Sequence, residues 1–254
     1  MRAGMGADAG DFDGDGRLDL VITNFQHEPN SLYRNAGPRR FTEVTYPSGI
    51  GTPSVLKLGF GVAFLDVDGD GRLDLYAGNG HVFDNVAQFD DTATYAQTDQ
   101  LYLNQGGGRF AEVSRDAGPA LRTAGVTRGV AVGDFDSNGT PDLLINRSGQ
   151  PARLLKTEWL RPHAWIGFSL HGTHSNSSAI GARICVRTPA GPQIREVRSG
   201  SSYLSQPDLR PLFGLGDITR PDQVRVTVRW PSGAVQPVPL PGLNRYVGVV
   251  EGRR

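Results

Sequence analysis

The 254-residue chain carries one cysteine, Cys185, so no disulfide can form within it. That thiol lies in an apolar run and reads as a buried side chain, which permits an extracellular setting without indicating one. Lysine is nearly missing: Lys57 and Lys156 are the whole set, a feature of composition rather than of function. Net charge is missing as well, because 26 basic and 26 acidic residues cancel. No interleaving of basic and aromatic residues marks a nucleic-acid groove, so nucleic acid is not an expected partner. No apolar run reaches the roughly 18 residues a membrane helix needs, so membrane insertion is not expected either. No signal peptide precedes Gly4. No helical pattern of ten residues or more appears, and the fold class read from the chain is all-β.

What is abundant is aspartate at fixed spacing. DFDGDGRLDL runs from Asp11 to Leu20, DVDGDGRLDL from Asp66 to Leu75, and DFDSNGTPDL from Asp134 to Leu143. Packed carboxylates repel one another, and alternate oxygens around a glycine bend suit a hard cation such as Ca2+. The first loop offers Asp11, Asp13, Asp15 and Asp19 with the Arg17 carbonyl. The second offers Asp66, Asp68, Asp70 and Asp74 with the Arg72 carbonyl. The third offers Asp134, Asp136, Asn138 and Asp142 with the Thr140 carbonyl. Up to three Ca2+ ions are therefore expected. The third site should be the weakest, since neutral Asn138 replaces a carboxylate. These are not EF-hands: loop position twelve is Ile22, Ala77 or Ile145, and none of them supplies the bidentate carboxylate. A solvated acidic turn without an ion is the plainer alternative.

The loops sit inside a larger repeat. Gly6, Gly61 and Gly129 precede the loops at equal distance, and Leu20, Leu75 and Leu143 close them. Leu32-Tyr33-Arg34-Asn35 and Leu101-Tyr102-Leu103-Asn104 follow, then Phe41-Thr42-Glu43-Val44 and Phe110-Ala111-Glu112-Val113. Four short strands at a period of about 55–68 residues is the sequence form of a propeller blade. The insertion from Asp84 to Thr98 reads as a surface excursion. In the third unit Leu154-Leu155-Lys156-Thr157 matches the third strand, but no fourth strand follows. Three blades fall below the usual four to eight. The reading is a partial propeller over residues 1–158, apparently shortened at its N-terminus. Its end faces should leave Val130 and Val132 in water and favour edge-mediated self-association.

After Trp159 the acidic loops stop. Seven short runs follow: Ala164–Leu170, Ala179–Arg187, Gln193–Arg198, Pro211–Leu215, Gln223–Trp230, Val235–Leu240 and Tyr246–Val250. They predict a small β-sandwich or barrel over residues 159–254.

Several segments of this half carry a resemblance. They are Ser175-Asn176, Ala179-Ile180-Gly181-Ala182-Arg183, Arg195-Glu196-Val197-Arg198-Ser199-Gly200, Tyr203-Leu204-Ser205-Gln206, Phe213-Gly214-Leu215-Gly216 and Trp230-Pro231-Ser232-Gly233. Together they resemble the ASPIC/UnbV domain. The DxDGDGxxDL units are similar to FG-GAP/VCBS repeats. In this order, across nearly the whole chain, they resemble the cartilage acidic protein-like family. Two positions depart from the pattern: Ser177, where Arg is common, and Leu212, where His often precedes the FGLG segment. The resemblance implies a calcium-binding, non-enzymatic adhesion or scaffold protein, extracellular or at the cell surface, with a protein or glycan ligand.

Catalytic patterns are weaker. His171 and His174 lack a third metal ligand of their own, and Ser199–Ser202 lacks a nucleophile elbow. A propeller-supported hydrolase or lyase acting on polysaccharide is the alternative reading. Loading the loops with cations would leave the protein net basic. Arg183, Arg187, Arg195, Arg198, Arg210, Arg225 and Arg229 supply much of that charge. Such a surface could meet an acidic glycan, or be ordinary solvated strand faces.

Overall fold

The computed structural model describes residues 2–158 and 163–253. The expected boundary at Trp159 lies outside the described residues. The chain is all-β, and its one α-helix among the described residues is the single turn α1 (Gly51–Ser54).

The first sheet runs in sequence order through β1 (Gly4–Gly10), β2 (Asp19–Asn24), β3 (Ser31–Asn35) and β4 (Phe41–Glu43). The second repeats it with β5 (Gly59–Leu65), β6 (Asp74–Asn79), β7 (Gln100–Gly106) and β8 (Arg109–Glu112). The third stops at three strands, β9 (Thr127–Gly133), β10 (Asp142–Arg147) and β11 (Gln150–Leu155). All neighbours in these sheets are antiparallel, and each acidic loop is the hairpin connection between the first two strands of its sheet.

Strand alternation decides how the sheets stack. On one face of the second sheet Val62 pairs with Ala77, Phe64 with Leu75, and Leu75 with Tyr102. This face packs on Val21 and Leu32 of the first sheet. On the other face Ala63, Tyr76 and Leu101 lie side by side and pack on Val130, Leu143 and Ile145 of the third. The second sheet is thus buried on both faces. That is why β5 and β6 read as continuous apolar runs rather than alternating ones.

Val130 is fully buried against the second sheet, and Val132 is partly buried with it, contrary to the expectation that both face water. The open face of the third sheet is the opposite one. Leu144 and Leu154, which occupy the register positions of Tyr76 and Leu101, are 54% and 40% exposed.

The C-terminal half holds two further sheets around their own core. One has the order β15 (Leu212–Gly216), β12 (Ala164–His171), β18 (Arg245–Val250), with β12 and β18 parallel. The other has the order β14 (Gly191–Glu196), β13 (Arg183–Thr188), β16 (Arg225–Arg229), β17 (Val235–Val238). Phe168 and Phe213 from the first meet Ile184 and Val228 from the second, and Trp230 just past β16. The expected strand at Ala179 begins only at Arg183, because Ala179–Ala182 form a tight turn with Ala179 at φ +55°.

One segment of this half crosses the first strands of the repeat sheets. Ala7 and Ser202 exchange two backbone hydrogen bonds of 3.1 and 2.7 Å. Ser202 Oγ accepts from Val62 N at 3.0 Å, and Asp208 N donates to the Val132 carbonyl at 2.8 Å. Tyr203 meets Phe60 edge-on, with centroids 5.0 Å apart. Strand edges that would otherwise face water are therefore paired within the chain.

Candidate metal centres

Each acidic loop folds back on itself through its own carboxylates. In the first, Asp11 accepts from Asp15 N at 3.0 Å and from Gly16 N at 2.9 Å. Asp13 accepts from Asp15 N at 3.3 Å, and Asp15 from Arg17 N at 2.9 Å. The second loop repeats this: Gly71 N donates to Asp66, Asp70 N to Asp68 and Arg72 N to Asp70. In the third, Asn138 N and Gly139 N donate to Asp134. The bend glycines Gly16, Gly71 and Gly139 have φ of +85°, +93° and +89°, a conformation that a Cβ makes costly.

The structure brings Asp11, Asp13 and Asp15 together, and likewise Asp66, Asp68 and Asp70, and Asp134, Asp136 and Asp142; in each group one oxygen per carboxylate lies within 4.8 Å of the others. Asn138, whose Oδ1 accepts from Thr140 N and Thr140 Oγ1 at 2.8 and 2.6 Å, lies in the third loop. The last aspartate of each loop has a second occupation. Asp19 accepts from Phe12 N and Asn35 N, Asp74 from Val67 N and Asn104 N, and Asp142 from Phe135 N and Thr157 N. Each thus ties its loop to the third strand of its sheet or, at Thr157, to the residues just past it. Asp19 and Asp74 stand outside the clustered threes. Arg17 and Arg72 pair with Asp15 and Asp70, and Lys156 pairs with Asp136 at 2.5 Å.

The donor set is all oxygen, mostly carboxylate, which fits a hard divalent cation. The electrostatics agree. Burial pushes Asp19 and Asp66 up to about 7 and Asp74 up to about 8, with neighbouring aspartates adding to the rise. Clustered carboxylates in a poorly hydrated site want a counter-charge. Asp66 Oδ1 is buried and has no hydrogen-bond partner, as expected of an oxygen kept for a cation.

The loops do not face open solvent. A Cβ on Gly139 would lie 2.1 Å from Trp165, one on Gly71 2.5 Å from Gln193, and one on Gly16 3.7 Å from Ile194. Gly214 N donates to Asp66 Oδ2 at 3.2 Å, and Gly216 N to the Gly69 carbonyl at 3.0 Å. Tyr246 donates its hydroxyl to Asp134 Oδ2 at 2.9 Å. Arg210 Nη2 reaches the Asp134 carbonyl at 3.2 Å, with its guanidinium 4.4 Å over the Tyr246 ring. Arg198 bonds Asp8 and the Ala9 carbonyl at 2.5 and 2.6 Å, just ahead of the first loop. Between the halves lies a cavity of about 110 Å³, bordered by Asp8, Asp66, Asp134, Arg195, Arg198 and Gly214. Reading the sequence missed Gly214, Tyr246 and Arg195 as neighbours of the loops. The only local signal was the Gly within Phe213-Gly214-Leu215-Gly216, where close backbone approach leaves no room for a Cβ.

Stacked antiparallel sheets whose first hairpins are acidic loops define a class: an all-β repeat protein with cation-type loops, capped by a second β unit. A family model for FG-GAP-like repeats matches residues 11–77 and 86–145, and one for ASPIC and UnbV matches residues 172–254. The chain belongs to the family of FG-GAP-like repeat proteins with a C-terminal ASPIC and UnbV domain. Over 237 residues it is 28% identical to Cartilage acidic protein 1 of Mus musculus, covering 91% of this chain and 34% of that protein. The Homo sapiens protein of the same name is 27% identical, covering 91% and 33%. That of Xenopus tropicalis is 25% identical over 265 residues, covering 85% and 40%. The chain thus spans about a third of the length of the curated relatives it matches.

Proposed function

We propose that this chain is a calcium-binding, non-enzymatic adhesion or scaffold module, secreted or surface-displayed, that presents a protein- or glycan-binding surface. Its three repeat sheets are read as blades of a partial propeller over residues 1–158, and residues 159–254 as a separate β domain docked on the loop end. The carrying observation is the set of three oxygen-only aspartate clusters, one per sheet, with the buried oxygen of Asp66 left free. Calcium fits because six to eight oxygens, carboxylates and carbonyls among them, satisfy it without the strict octahedron magnesium demands. Asp11, Asp13, Asp15, Asp66, Asp68, Asp70, Asp134, Asp136 and Asp142 would hold the ions. Bound cations would neutralise each loop and fix the sheet hairpins beneath the second domain.

A scaffold role is supported by the family, whose relatives are named as cartilage proteins. It is also supported by where the polar groups go: His81, the buried histidine, accepts from Phe83 N at 3.0 Å. Among the described residues no helix is long and apolar enough to cross a membrane. Calcium titration followed by protein and glycan binding screens, with and without the ion, tests the reading. Calcium-dependent retention of a ligand supports it; no calcium heat at any loop removes it.

A further inference from the structure

Two buried polar atoms beside the cavity between the halves lack hydrogen-bond partners: Asp66 Oδ1, an acceptor, and Arg195 Nη2, a donor. Native interiors rarely leave such atoms unpaired, and each calls for a reason. Neither side chain is loose. Asp66 Oδ2 accepts from Gly71 N at 2.9 Å and Gly214 N at 3.2 Å. Arg195 Nη1 donates to the Ile194 carbonyl at 3.0 Å, and its guanidinium lies 5.3 Å over the Phe213 ring. Its neighbours Arg183, Arg198 and Arg210 each hold a carboxylate at ion-pair distance. Among the described residues Arg195 forms no such pair. Burial lowers the proton affinity of its guanidinium, and Asp66, then Asp11, raise it again. The arginine therefore balances Asp66 through the field without touching it.

The three loops also differ in what the C-terminal half places over them. The first bend faces apolar Ile194, the third faces Trp165, and the second lies beside Gln193 and Gly214. Arg210, near the third loop, is neutralised by Asp208 at 2.6 Å. Among the described residues, only the second loop has an unneutralised guanidinium with a buried nitrogen beside it; Arg34, whose charge acts on Asp13 of the first loop, is exposed to solvent.

We propose that Arg195 is a built-in counter-ion of the second loop, one that competes with a divalent cation for Asp66 and sets that loop's affinity. A guanidinium does not deprotonate under ordinary conditions, so its repulsion of an incoming cation is permanent. The first and second loops have the same ligand pattern, Asp-x-Asp-Gly-Asp-Gly-Arg-Leu-Asp. Ligand count alone makes them equal; Arg195 makes the second weaker. The proposal rests on the reading of the second loop as an ion site.

The test is calcium titration calorimetry on the whole chain, with Asp13→Ala and Asp68→Ala assigning the first and second sites. In the parent protein the second site is expected to be weaker than the first by about tenfold. Arg195→Met tightens the second site by about the same factor and leaves the third unchanged. Arg195→Lys, which keeps the charge, keeps the second site weak. The calcium-induced rise in melting temperature widens in Arg195→Met, since the apo loop loses its counter-ion while the loaded loop loses a repulsion. If the Met variant does not fold, Arg195→Gln carries the same expectation. An unchanged or weakened second site, with the third site intact, overturns the proposal. If Asp68→Ala alters no calcium heat in any background, the ion-site reading of that loop falls first and takes the proposal with it.

Discussion

The hydroxyl of Tyr246, on the last strand of the chain, donates to Asp134, the first residue of the third acidic loop, across 112 positions at 2.9 Å. Burial, and then this bond, raises the phenol's pKa and keeps it the donor. Tyr246→Phe removes one of the two hydrogen bonds on Asp134 Oδ2, the other coming from Gly139 N, and a bond to a charged group is worth about 1.5–3 kcal/mol. Urea unfolding should show a loss within that range without calcium. The loss should shrink when calcium occupies the loop and takes over the freed lone pair.

Calcium should raise the melting temperature, because it binds the folded loops and not the unfolded chain. At a hundredfold excess over the dissociation constant each site contributes about 2.7 kcal/mol. Affinities in the range of about 10⁻⁵–10⁻³ M are expected for loops of this kind. Asp68→Ala should remove one site's heat in calorimetry and one site's share of the thermal shift. A parent-like titration would strike the second loop from the set.

The third loop carries two handicaps. Asn138 supplies no charge, and Ser137 holds φ +57° where the other loops place Gly14 and Gly69. A non-glycine residue in that region costs about 1–2 kcal/mol. Asn138→Asp should tighten calcium binding there, and Ser137→Gly should stabilise the loop by about 1 kcal/mol. Calorimetry and chemical denaturation measure the two separately. A weaker site in Asn138→Asp would mean that the Thr140 bonds, rather than charge, limit it.

Glu251 closes the C-terminal half. It accepts from the backbone N–H of Thr173, His174 and Ser175 at 2.9, 2.8 and 2.7 Å, and from the hydroxyls of Ser175 and Ser232 at 2.9 and 2.6 Å. Burial pushes its pKa up, but these bonds outweigh it and bring the group down to about 2 from 4.5. A carboxylate whose folded value is depressed contributes fully above its unfolded value and loses that contribution as pH falls through the folded one. The Glu251 share of stability should therefore be complete above about pH 4.5 and fade towards pH 2. Glu251→Gln should lower the melting temperature at pH 7 and flatten this acid limb. An acid limb identical to the parent's would refute the assignment.

Arg198 and Asp8 form the ion pair next to the first loop, and Asp8 is buried. Burial raises the Asp8 pKa against the pull of Arg198. Removing one partner of a buried pair costs about 3–5 kcal/mol, since the other charge is stranded. Arg198→Met should destabilise by about 3 kcal/mol, and adding Asp8→Asn should recover part of that in equilibrium unfolding.

The repeat and its loops were legible because their determinants are local. Ligand spacing, the bend glycine and strand alternation all lie within about ten residues of one another. The cover over the loops was not legible: Gly214 meets Asp66, Arg198 meets Asp8 and Tyr246 meets Asp134 across 148, 190 and 112 positions. None of these pairs leaves a periodic trace. Val130 was misplaced because strand order says how many faces are open, but not which side chains line them. Leu144, one step out of phase with Val130 along its paired strand, carries the exposure instead.

The pairing of Asp208 N with the Val132 carbonyl has a consequence for synthesis. The ribosome adds roughly 5–20 residues each second, so Val132 precedes its partner by about 4–15 s. Sheet formation takes microseconds to seconds. The three repeat sheets can therefore assemble on the ribosome while their first-strand edges still lack the segment that pairs them. For that interval the nascent chain displays bare strand edges. Its yield in a cell should depend on holdase chaperones more than the stability of the finished protein would suggest.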